Sequence, residues 1–147
     1  MRPTTYPAVK RRLRTLLTDA LPGVQVEYGD PGAFLEQEYL IVGDMAGLGE
    51  LEEQDWATIG AYSKDEAYAI AVSIWAGAPD QTQEEADVRA EELFSALFDA
   101  LAGDDLTLGV PGVLKVELAR GQYYDQRQDH GHATQVDTAV RVSAYLT

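Results

Sequence analysis

The sequence predicts an α+β domain: a mostly antiparallel β-sheet with two amphipathic helices covering one face. Three observations lead there. Residues 67–75, Ala67-Tyr-Ala-Ile-Ala-Val-Ser-Ile-Trp75, alternate small and bulky, the period-2 pattern of a strand buried on one side. Residues from Thr82 to Ala102 then change to helical spacing. Beyond them the chain returns to alternating segments joined by hairpin-length connections, and strands grouped in this way favour an antiparallel sheet over a parallel one.

A first helix is expected from about Tyr6 to Leu21, with Val9, Leu13, Leu16, Leu17 and Ala20 on one face and Pro22-Gly23 ending it. Lys10, Arg11 and Arg14 are expected to point away from that face. Positive charge near a helix start opposes the macrodipole by ~0.3–1 kcal/mol per charge. Either these are good helix formers on a solvated face, or an acidic partner surface wants them there.

Val24, Val26 and Tyr28 alternate with Gln25 and Glu27 as a short strand, Gly29-Asp30-Pro31-Gly32 is a turn, and Tyr39 to Val42 is a second strand. Met45 to Glu66 holds Gly47, Gly49 and Gly60, the acids Glu50, Glu52, Glu53 and Asp55, and Trp56. Trp56 to Ile59 is expected to pair with the 39–42 strand as a long hairpin. Such a hairpin buries little apolar surface, so it either folds back on the body or, over about residues 43–66, forms a protruding arm that docks elsewhere.

In the central strand Tyr68, Ile70, Val72 and Ile74 make the bulky face, and Ala67, Ala69, Ala71 and Ser73 make a small face suited to close approach by another sheet or a neighbouring subunit. In the second helix Ala86, Ala90, Leu93, Phe94, Leu97 and Leu101 share one arc. Thr82 with Glu85 reads as a capping box and Gly103 as the stop. The outer face carries Glu84, Glu91, Glu92 and Asp99 around Val88. A solvated face accounts for the acids; Val88 among them marks where a subunit contact is to be sought. Val113 to Ala119 reads as a strand with Leu114, Val116 and Leu118 inward and Lys115 and Glu117 outward. Gly121 to His132 reads as a polar loop or hairpin tip. The last strand, Ala133 to Leu146, puts Val136, Thr138, Val140, Val142 and Ala144 on one side and Gln135, Asp137, Arg141 and Ser143 on the other.

At 147 residues the chain suits one domain spanning 1–147, with no repeat or linker. No stretch of eighteen apolar residues exists to span a membrane as a helix, and the first residues lack the apolar core of an export signal. Without cysteine there are no disulfides or thiolate metal sites. The net charge is −14, unevenly laid out: Arg2, Lys10, Arg11, Arg12 and Arg14 stand among the first fourteen residues with no acid, and all 25 acids follow. So acidic a body repels phosphate backbones and disfavours nucleic-acid wrapping. A basic end on an acidic body is self-complementary, and copies joined head to tail close into rings.

No catalytic constellation is found. There is no cysteine nucleophile, and Ser63, Ser73, Ser95 and Ser143 lie outside any Gly-x-Ser-x-Gly elbow. Adjacent acids such as Glu52-Glu53, Glu84-Glu85 and Asp104-Asp105 point in different directions on a strand or helix and imply no dyad. Phosphate-binding glycine loops are lacking. Trp56 and Trp75 suit core or interface packing better than ligand stacking. His130-Gly-His132 with Asp125 or Asp129 could offer metal ligands, but histidines in such a polar loop are far more often simply solvated. The sequence therefore predicts no catalytic residue, metal site or cofactor.

Several segments in order carry a resemblance: the basic helix Tyr6-Pro-Ala-Val-Lys-Arg-Arg-Leu-Arg14, Val26-Glu-Tyr-Gly29, Ile41-Val-Gly-Asp44 before the acidic glycine-bearing stretch and Trp56, Asp65-Glu-Ala-Tyr68, the Ala86–Ala102 helix, and the closing Val140-Arg-Val-Ser-Ala-Tyr-Leu-Thr147. Together they resemble the tail terminator, or head-to-tail connector, proteins of long-tailed siphovirus-type bacteriophages, especially those of actinobacterial hosts. The resemblance implies a small α+β virion subunit, assembled in the host cytoplasm, that forms a hexameric ring on the finished tail tube. Such a ring ends tube polymerisation, receives the head connector or stopper protein, and lets DNA pass through its lumen without specific binding. The implied partners are copies of itself, the tail tube protein and the head connector, with no membrane. Under this resemblance Lys10, Arg11, Arg14, Val88, Glu91, Glu92 and Trp56 are the candidates for subunit contacts. Glu50, Glu52, Glu53 and Asp55, or Asp125 and Asp129, are the candidates for an acidic bore that repels phosphates. Competing readings are another neck or tail-tube subunit, a small cytosolic ligand-binding module, and a metal-dependent hydrolase built on His130 and His132.

Overall fold

Two long strands organise the fold. The computed structural model describes residues 4–29, 37–45, 53–58, 63–103, 107–128 and 131–146. In chain order the elements are α1 (Tyr6–Ala20), β1 (Gln25–Tyr28), β2 (Glu38–Met45), β3 (Glu53–Thr58), β4 (Ser63–Gly77), α2 (Gln83–Gly103), β5 (Val113–Leu118), β6 (Gln122–Gln128) and β7 (Gly131–Leu146). β4 and β7 pair antiparallel along almost their whole length, from Lys64 opposite Leu146 to Gly77 opposite Ala133.

Each outer edge of this pair holds two shorter strands laid end to end. Along β4 run β2, from Glu38 opposite Ala76 to Met45 opposite Ile70, and then β3, from Glu53 opposite Ala67 to Thr58 opposite Ser63. Along β7 run β5, opposite residues 140–144, and then β6, opposite residues 131–137. β1 joins the outer side of β2 and is parallel to it; the other described pairs are antiparallel.

Both helices lie on the bulky face of this sheet, as the alternation predicts. Tyr68, Ile70, Val72 and Ile74 of β4 are buried with Leu40 and Val42 of β2 and Val136, Val140 and Val142 of β7. Over them sit Val9, Leu13 and Leu17 of α1 and Ala90, Leu93, Leu97 and Leu101 of α2, in one continuous core. Each fully buried Leu, Ile or Val contributes roughly 1.5–3 kcal/mol of transfer free energy. α2 begins with the predicted capping box: Thr82 Oγ1 accepts from the Glu85 N–H at 3.2 Å while Glu85 Oε1 accepts from the Thr82 N–H at 3.2 Å. Arg89 then fixes α2 to the start of β2 through a two-pronged contact, Nε to Glu38 Oε2 at 2.6 Å and Nη2 to Glu38 Oε1 at 3.0 Å.

Four sequence expectations are corrected. Residues 56–58, the described part of the expected 56–59 strand, do not pair with the 39–42 strand, because β2 already has β1 on one side and β4 on the other; β3 takes the free length of β4 instead. That strand therefore continues the sheet, and the rest of the expected arm, residues 46–52 and 59–62, lies outside the described residues. Leu114 is outward and 61% exposed, since a register shift between Val113 and Lys115 breaks the alternation and leaves Val113 and Val116 inward. Of the expected 121–132 loop or hairpin tip the loop alternative is the one corrected: residues 122–128 are strand β6, which forms a hairpin with β7 along the edge that this long strand offers. Lys10 is not on a solvated face but is 5% exposed.

Candidate interaction surface

The first three turns of α1 sort the predicted cations into two kinds. Lys10 lies under the rings of Tyr28, 4.3 Å from its centroid, and Tyr6, 5.6 Å away, with Asp44 Oδ1 at 4.0 Å. Its stem is packed and its charge faces aromatic surface, so it serves the join between α1 and β1. Arg11 and Arg14, one turn apart, are exposed. Neither forms an ion pair among the described residues.

The outer face of α2 is the counterpart. Glu84, Glu91, Glu92 and Asp99 are exposed there, as the sequence predicts, around Val88 at 52% exposure. The structure adds Phe98, at 56%, which is absent from the sequence candidates. Its signal was available: 88, 91, 95 and 98 are spaced three, four and three residues apart, the stripe of one helix face. Two shallow depressions flank Val88. One of about 410 Å³ is lined by Glu91, Glu92, Ser95, Ala96 and Asp99, and one of about 330 Å³ by Gln81, Glu84, Glu85, Arg89 and Glu92. Next to them Tyr123 of β6 leans on Phe94, with ring centroids 6.5 Å apart. Burial, with Glu91 and Asp87 nearby, raises the Tyr123 phenol above its ordinary value.

The sheet face away from the helices carries small residues in its middle. Ala69 and Ala139 are buried there, Ser73 Oγ donates to Asp137 Oδ1 at 3.1 Å, and Tyr39 stacks on Trp75 with centroids 5.9 Å apart. Trp75 thus packs within the chain. Trp56, Glu53 and Asp55 fall on β3, opposite Lys64, Ala67 and Asp65 of β4 respectively. Asp125 is exposed on β6 opposite Thr134, while Glu50, Glu52 and Asp129 lie outside the described residues. The structure does not bring the two sets of bore candidates together into one described cluster.

Among the described residues no three His, Cys, Asp or Glu side chains gather as metal ligands. His132 sits in β7 and His130 lies outside the described residues. No described helix is long and apolar enough to cross a membrane.

No protein-family model matches the chain, and no characterised protein matches it in sequence. Among solved structures, a chain from the virion of a native gene transfer agent particle superposes with a TM-score of 0.63 at 14% identity. The match covers 98% of this chain and 99% of that one. The two proteins share the fold from end to end.

Proposed function

We propose that this chain is a structural subunit of a phage-like virion, and more specifically the tail terminator. In that role copies form a ring, hexameric in the related proteins, that caps the tail tube, stops its growth and receives the head connector while DNA passes through. The observation that carries the reading is the end-to-end likeness to a chain of a gene transfer agent virion, with neither chain leaving a domain unmatched. The ordered sequence segments that resemble tail terminators support the finer assignment. So does the exposure of Arg11, Arg14, Glu84, Glu91 and Asp99 without an ion pair among the described residues, charge of both signs on one small subunit that suits assembly with copies and neighbours.

The bore would be lined by acids drawn from Glu50, Glu52, Glu53, Asp55, Asp125 and Asp129, so that the duplex slides without sticking. The test is electron microscopy of tails assembled without this protein. Overlong tubes without heads are expected; tubes of normal length joined to heads would overturn the assignment.

A further inference from the structure

We infer that the outer face of α2 is a docking surface for the outer face of α1 from a second copy of this chain. The inference gives the proposed ring its subunit joint and rests on that reading only for closure of the ring.

Three observations carry it. First, Val88 and Phe98 are each more than half exposed on one stripe of a long helix whose opposite face is fully committed to the core. Second, Glu84, Glu91 and Asp99 flank that stripe without an ion pair among the described residues. Third, Arg11 and Arg14 stand one turn apart on α1 without an ion pair among the described residues, whereas Lys10, Arg89 and Lys115 are engaged within the chain.

The charges therefore match between the two helices, yet one molecule cannot bring them together. Both helices lie on the same face of the sheet and turn their inner residues into one core, so their outer faces point away from it. Only another copy can bring an α1 to this α2. Such a contact joins unlike patches, leaving a free α1 on one partner and a free α2 on the other. It continues from copy to copy and ends only when a ring closes. The arginine stems and threonines of α1, such as Thr15 and Thr18, would cover Val88 and Phe98, with the guanidinium groups reaching Glu91 and Asp99. Because the charges stay near solvent, the joint weakens with salt.

The experiment is the solution mass of the full chain at low and high salt, with charge reversals on each side. Wild type is expected to form a multimer at low salt that dissociates in high salt. R11E/R14E and E91R/D99R are each expected to run as a monomer, while the conservative R11K/R14K keeps the multimer. An equimolar mixture of the two reversed variants is expected to restore it, since each variant's α1 then finds an opposite charge on the other's α2. Circular dichroism checks that the variants fold, and restoration in the mixture does so independently. A monomeric wild type at low salt, or reversed variants that assemble alone as wild type does, would overturn the inference. A chain that assembles by this contact yet leaves tube length unchanged would remove the proposed function and keep the joint. Normal capping with silent charge reversals would do the opposite.

Discussion

Glu66 Oε1 accepts two hydrogen bonds from Thr5, one from the backbone N–H at 2.9 Å and one from the hydroxyl at 2.7 Å. Both residues are buried, and they stand 61 positions apart in the chain. Thr5 is the N-cap of α1, a helix with no acid of its own in the first turn. A carboxyl from β4 thus supplies the negative group that a helix N-terminus favours and ties α1 to the sheet. Removing it in Glu66→Ala leaves two buried donors without this acceptor, a cost of about 1–3 kcal/mol. Glu66→Gln keeps an acceptor and loses only the charge, and should cost less. Urea unfolding of the two variants checks the order; an alanine variant as stable as wild type would show that the contact does not hold the helix.

Tyr68 sits on the same cluster, with its hydroxyl 2.8 Å from Thr5 Oγ1. Thr5 spends its one hydroxyl proton on Glu66, so Tyr68 donates to Thr5. Burial, reinforced by Glu66, raises the Tyr68 phenol well above its ordinary value of 10.0. Between the unfolded and folded values the native state holds the extra proton, so this contribution is complete below about pH 10 and is lost as pH rises further. The slope is about 1.4 kcal/mol per pH unit for this one group. Tyr68→Phe should therefore cost about 1 kcal/mol at neutral pH and flatten the alkaline loss of stability above pH 10. Stability followed from pH 8 to 11 tests this; parallel curves for the two proteins would contradict it.

How much of this was legible in the sequence depends on where the determining partner lies. β4, β7 and α2 could be read because one-sided burial writes its own period into each element, and Thr82 with Glu85 because both halves of the capping box lie within four residues. The Thr5–Glu66 tie could not, since nothing local links a threonine before a helix to an acid deep in a strand. Lys10 misleads for the same reason: its helix phase alone says solvent, and Tyr28 of β1 supplies the aromatic cover. β6 is an edge strand with Tyr123 and Tyr124 both exposed, so neither face carries an apolar alternation. On the interaction surface, Arg11, Arg14, Val88 and the α2 acids could be read as exposed, but that Arg11, Arg14, Glu84, Glu91 and Asp99 form no ion pair among the described residues, while Glu92 pairs with Arg89, required the fold.

Gly77 marks how closely β4 and β7 approach at the end where the chain leaves for α2. A Cβ built there would lie 2.7 Å from Ala133 Cβ and 3.3 Å from both Ala133 Cα and the His132 carbonyl oxygen. The cause is contact alone, because two of those three atoms belong to backbone that cannot swing aside. Gly77→Ala should destabilise by about 1–3 kcal/mol, the range for overpacking a filled site, and Ala133→Gly in the same chain should recover part of it. Thermal unfolding of the single and double variants measures the recovery; strictly additive losses would mean the two Cβ positions do not compete.

Lys10 separates a fold role from an assembly role for the cationic helix. With its ammonium 4.3 Å from the Tyr28 centroid and the residue 5% exposed, most of its contribution is packed stem plus a cation–π contact of about 0.5–2 kcal/mol. Lys10→Met keeps most of the stem and removes the charge, so it should lose about 1 kcal/mol or less, whereas Lys10→Ala opens a gap under two tyrosines and should lose more. If the cations of α1 act as one assembly patch, Lys10→Met should weaken self-association as strongly as a change at Arg11 or Arg14. The burial of Lys10 argues that it will not: its methionine variant should keep the wild-type mass profile across salt, with the change visible in unfolding alone. A fall to monomer in that variant would place Lys10 in the subunit contact and require the Tyr28 side of α1 to open on assembly.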